Sequence, residues 1–97
     1  MLTEEMMMTT ETLLMSYYFD MSEWLKGIKT VNIDILQKSK DDLLDILKTD
    51  FEEISAEDNN EYLYDLSISI ATLEELSEDA YQKIKTEVFS WEPTDKK

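Results

Sequence analysis

Apolar positions recur along this chain with the spacing of helix faces. Leu14, Tyr17, Met21, Trp24, Ile28, Val31 and Ile35 step alternately by three and four residues, laying one stripe along a helix. Leu44, Leu47, Phe51 and Ile54 repeat the step. Leu63, Leu66, Ile70, Leu73, Ser77, Ala80 and Ile84 repeat it again, with a polar interruption at Ser77. Start signals fit these stripes. Thr9 or Thr10 can cap a first helix beginning near Glu11, and Ser39 with Asp42 resembles a capping box ahead of Leu43 and Leu44. Thr72 with Glu75 is a second such box, so the third stripe is expected to break near Thr72 or Ser77. The run from Ser55 to Asn60 is the best loop candidate.

A strand period competes with this reading. Val31, Ile33 and Ile35 alternate with polar neighbours, and Tyr62, Tyr64, Leu66, Ile68 and Ile70 do so more strongly. Strands at 30–36 and 61–71 would give an α+β fold, helix–strand–helix–strand–helix, in which Gly27 ends the first helix. Antiparallel hairpins lean on Gly or Asn-Gly turns, and Gly27 is the sole glycine, as Pro93 is the sole proline. The expected fold is therefore all-α, a small bundle of three to four helices. Residues 1–91 are expected to form one acidic domain and 92–97 a frayed polar tail.

Composition changes the picture from fold to surface. Of 97 residues, 23 are acidic and nine basic, for a net charge of −14, and there is no Cys, His or Arg. That absence excludes disulfide scaffolds, zinc and iron–sulfur sites, His-based proton transfer and arginine fingers. The acidic N-terminus and the eight-residue limit of the central charge-free run, Leu66 to Leu73, predict a cytoplasmic protein without a membrane span. Residues 41–79 hold fourteen acids and one Lys, a net of −13, so nearly all the excess sits in 39 residues. Such a field repels nucleic acid and anionic lipid and attracts basic protein surfaces. The expected partner-binding acids are Asp41, Asp42, Asp45, Asp50, Glu52, Glu53, Glu57, Asp58, Glu61, Asp65, Glu74, Glu75, Glu78 and Asp79.

From Leu13 to Leu25, nine of thirteen residues are apolar or aromatic, more than one core-facing stripe needs. The surplus predicts either a helix buried from several sides or a second face for a partner or a second copy of the chain. Tyr17, Tyr18, Phe19 and Trp24, with Tyr62 and Tyr64, are the candidate apolar contacts, since aromatic side chains anchor interfaces.

Chemistry finds little to work with. Eight serines lack an activating His, one glycine cannot build a phosphate loop, and the best EF-hand window, Asp50 to Glu61, has Ile54 and Ser55 at its fifth and sixth positions. Met6, Met7 and Met8 suit adaptable packing better than copper(I) ligation. No enzyme, cofactor or metal site is expected. The expected function is a small acidic inhibitor that docks on the basic, nucleic-acid-binding surface of an effector or nuclease. The chain is similar in composition, and in nothing more specific, to phage or mobile-element anti-defence proteins of the anti-CRISPR and anti-restriction type. An immunity protein against a basic toxin, or a homodimeric adaptor, are the alternatives.

Overall fold

Five helices open in the same way. A computed structural model describes residues 2–56 and 60–93. In it, the side-chain oxygens of Thr3, Asp20, Asn32, Ser39 and Ser77 each accept a hydrogen bond from the backbone N–H three residues on, at 3.1–3.4 Å. The helices they start are α1 (Glu4–Tyr18), α2 (Met21–Trp24), α3 (Ile33–Leu36), α4 (Lys40–Ser55) and α6 (Glu78–Phe89). Between the last two lies α5 (Asn60–Glu75). The fold is all-α: four long helices make the bundle, and α2 and α3 are single turns.

The cap at Ser39 and the break at Ser77 match the sequence reading; the start of the first helix, the Thr72 capping box and the single stripe from Leu14 to Ile35 need correction. The first helix begins at Glu4, seven residues before Glu11, because Thr3 is its cap. Thr10 lies in mid-helix, buried, with its hydroxyl donating to the Met6 carbonyl at 2.8 Å. The third stripe breaks at Ser77, whereas Thr72 stays helical and donates to the Ile68 carbonyl at 2.8 Å. The stripe from Leu14 to Ile35 does not run along one helix. The chain turns extended at Phe19, Asp20 and Asn32 start new helices, and Gly27 takes a left-handed φ of 85° that a Cβ would oppose. Residues 19–31 then close on themselves through an antiparallel Phe19–Val31 bridge flanked by Asp20 N–H to Thr30 O and Asn32 N–H to Tyr18 O. That bridge is all there is of the strand considered as an alternative for 30–36. The strand considered for 61–71 is α5. Of the loop expected from Ser55 to Asn60, residues 57–59 lie outside the described residues, as do 94–97 of the expected tail. Glu92 is tied to Lys29 at 2.9 Å.

α5 packs against both α1 and α4, and α6 against α1 and α4 as well. The core is Leu13, Leu14, Tyr18 and Phe19 from the first segment, Leu43, Leu44 and Leu47 from α4, Leu66 and Leu73 from α5, and Tyr81, Ile84 and Val88 from α6. Each such side chain taken from water contributes about 1.5–3 kcal/mol. Ser69 and Thr72, buried on α5, donate to carbonyls four residues back, so their burial leaves no polar atom unpaired. Lysines and a carboxylate stitch helix ends together. Lys85 donates to the Leu36 carbonyl at 2.7 Å, Lys29 to that of Phe89 at 2.6 Å, and Glu78 accepts from the Lys40 N–H at 3.0 Å.

One polar contact lies wholly inside the core. The Tyr18 hydroxyl donates to the Tyr81 hydroxyl at 3.0 Å, joining α1 to α6. Tyr81→Phe removes the acceptor and leaves the Tyr18 hydroxyl buried and unpaired. It should cost about 1–3 kcal/mol, read as a lower midpoint in urea with an unchanged m-value. A cost near zero would mean that the pair is not held as described.

Candidate functional site

The solvent face of α4 carries carboxylates where most surface helices mix their charges. Leu43, Leu44 and Leu47 turn that helix's apolar side inward, which sends Asp41, Asp42, Asp45, Glu52 and Glu53 outward, and all five are exposed. At 100° per residue they occupy an arc of about 120°, and from Asp41 to Glu53 the helix rises about 18 Å. One strand of duplex DNA places a charge every 3.4 Å or so along its axis, which gives about five charges in the same length. With five carboxylates about 4.5 Å apart on average along the axis, the face approaches the linear charge density of one nucleic-acid strand. Lys48 interrupts it only in part, because its ammonium is paired with Glu74 of α5 at 3.0 Å. Lys40 stands 3.8 Å from Asp41. Among the described residues no lysine is paired with Asp42, Asp45, Glu52 or Glu53.

The other expected acids divide by what they touch. Glu61 and Asp65 are exposed on the first half of α5, and Glu74 and Glu75 close that helix. Asp79 is exposed in the first turn of α6. Glu78 is committed internally: one oxygen accepts from Gln82 at 2.6 Å and the other from the Lys40 N–H. These bonds, that of Gln82 first, hold its carboxyl below the usual range. Asp50 is half-buried and accepts from the Tyr17 hydroxyl at 2.5 Å, and Tyr17 in turn accepts from the Tyr62 hydroxyl at 3.5 Å. Burial first, and the Asp50 bond second, raise the Tyr17 phenol, so it stays a donor. Glu57 and Asp58 lie outside the described residues.

The expected apolar contacts divide too. Tyr18 and Phe19 are core residues, Tyr17, Trp24 and Tyr62 are half-buried, and Tyr64 is 66% exposed. Much of the surplus of the Leu13–Leu25 segment is taken up within the chain, where the Phe19 ring lies 4.8 Å from Trp24 and 6.2 Å from Phe89, while Leu25 stays exposed. Sequence reasoning missed an apolar groove of about 400 Å³ between α4 and α5, lined by Phe51, Ile70 and Ala71 under the Lys48–Glu74 pair. It also missed a larger groove between α1 and α5.

Among the described residues no three carboxylates are grouped to hold a metal ion, and no helix is long and apolar enough to cross a membrane. Compared with protein-family models, with curated proteins and with solved structures, the chain matches none.

Between α1 and α6, Glu11 and Glu87 meet, and the Glu11 carboxyl is pushed up to about 7 from 4.5, by burial first and then by the Glu87 hydrogen bond and repulsion. The folded chain therefore holds a proton that the unfolded chain releases above about 4.5. This contribution to stability is full below that pH and is lost as pH rises through 7. Glu11→Gln should match the wild type in mild acid and exceed it above pH 7. The gain should be on the order of 1 kcal/mol after allowance for solvent screening, and urea titrations across the range read it. Parallel pH profiles for the two proteins would refute the shared proton.

Proposed function

We propose that this protein acts by binding and not by catalysis, laying the α4 acidic face on the basic, nucleic-acid-binding surface of another protein and so occluding it. The observation that carries the reading is the run of Asp41, Asp42, Asp45, Glu52 and Glu53, whose charge density approaches that of a nucleic-acid strand. A basic groove shaped for phosphates meets carboxylates at a comparable mean spacing, and long-range attraction steers the encounter. Tyr64, exposed on α5, and the Phe51–Ile70 groove supply apolar contact beside the charges. The compositional likeness to anti-defence proteins makes a nuclease or nucleoprotein effector the target class.

The reading is tested by capture on tagged protein from lysate at low and high salt, with competing duplex DNA in a parallel sample. Recovery of a basic nucleic-acid-binding protein, released by salt and by DNA, is expected. Asp45→Lys/Glu53→Lys should lower that recovery at least about tenfold, as expected for charge pairs lost at an interface. Recovery of the bait alone, or of a protein indifferent to salt, DNA and the double substitution, would overturn it.

A further inference from the structure

The groove between α1 and α5 has a different make-up from the α4 face and encloses about 550 Å³. Leu13 and the Tyr62 ring form its floor, Met8 stands at its edge with 60% of its surface in solvent, and Glu4, Glu5 and Asp65 are its charged lining. No lysine lines it. The α1 wall extends from Glu4 to Ser16, about 18 Å, which is a little over three helical turns. The floor is set in advance, because Tyr62 is hydrogen-bonded to Tyr17 and Tyr17 to Asp50 of α4. Binding there need not order these groups afresh.

We infer that this groove is the docking site for a basic amphipathic helix of a partner protein. Aliphatic side chains spaced three and four residues apart would lie over Leu13, Met8 and Tyr62, while lysines or arginines beside them would face Glu4, Glu5 and Asp65. An exposed methionine suits that task, since its flexible thioether adapts to the side chains laid on it. Charge decides between occupants. A second copy of this chain would bring net charge −14 against three carboxylates, and an acidic or neutral helix would leave them uncompensated. The inference does not rest on the role proposed for the α4 face, which shares no residue with this groove.

The probe is a synthetic amphipathic helix built from leucine and lysine alone, titrated into methyl-labelled protein at physiological salt and at twice that. The methyl signals of Met8 and Leu13 should move together and saturate. Met8→Ala should weaken binding about fivefold and Glu5→Gln/Asp65→Asn about tenfold, as for anchor and charge contacts in an interface. Circular dichroism confirms that these surface variants stay folded. Asp45→Lys/Glu53→Lys should change the affinity by less than about threefold, since screening at that salt confines charge effects to about 8 Å. Shifts confined to α4, or affinity indifferent to Met8→Ala and to the neutralised pair, would overturn the inference. So would Met8 and Leu13 shifts that depend on protein concentration without peptide, which would mark a contact between copies of the chain. Failure here leaves the capture experiment on the α4 face unaffected, and the reverse also holds.

Discussion

Repulsion among fourteen carboxylates within 39 residues is the constraint around which this molecule is built. Two unit charges 6 Å apart in water repel by about 0.7 kcal/mol, and salt reduces that further. Like charges four apart on a helix cost about 0.2–0.5 kcal/mol per pair. Against this stand Leu43, Leu44 and Leu47 of α4 and Leu66 and Leu73 of α5, each buried in the shared core and each contributing several times as much. Packing wins because it is concentrated on one side of each helix and the charge on the other. α5 makes the broadest contacts with α1 and α4, and α6 lies against the same two helices.

The placement of the acids serves the helices only in part. Asp41 and Asp42 suit the first turn of α4, where the helix dipole favours negative charge. Glu52 and Glu53, like Glu74 and Glu75 on α5, lie in or beside the last turn, where the dipole favours cations and none is found. The acids with a structural task are recognisable by their partners: Asp50 under Tyr17, Glu78 across the starts of α4 and α6, Glu74 with Lys48. Asp45, Glu52 and Glu53 have no such task. Under the proposed function, binding maintains a face whose carboxylates repel one another in the free protein.

Much of the fold was legible where the signal was local. Ser39 and Ser77 announce their helices, and the three–four spacing of α4, α5 and α6 reports faces that do turn inward. The spacing misled from Leu14 to Ile35 because a stripe can stay in register across a break. What ended α1 at Tyr18 was the Asp20 cap together with the return of Val31 to Phe19, a contact that no local pattern announces. The same return explains the surplus of aromatic residues. Phe19 is buried with Trp24 and Phe89 packed on its ring, so it needs no second chain to cover it. The acidic composition of the site was plain from sequence, but its division into committed and uncommitted carboxylates was not. Asp50 lies 33 residues from Tyr17, and Glu78 lies 38 from Lys40. The grooves and the Glu11–Glu87 pair likewise depend on how helices cross.

Under the proposed function, α4's outer acids are kept for an interface at the expense of the fold. The urea stability of Asp45→Lys/Glu53→Lys beside the wild type at low salt decides the point. Asp45→Lys sets a cation near Asp41 and Asp42, and Glu53→Lys sets one at the helix C-terminus near Asp50. The variant should be more stable by on the order of 1 kcal/mol, with the difference shrinking as salt is added. A variant less stable than the wild type would show instead that these carboxylates hold the structure together.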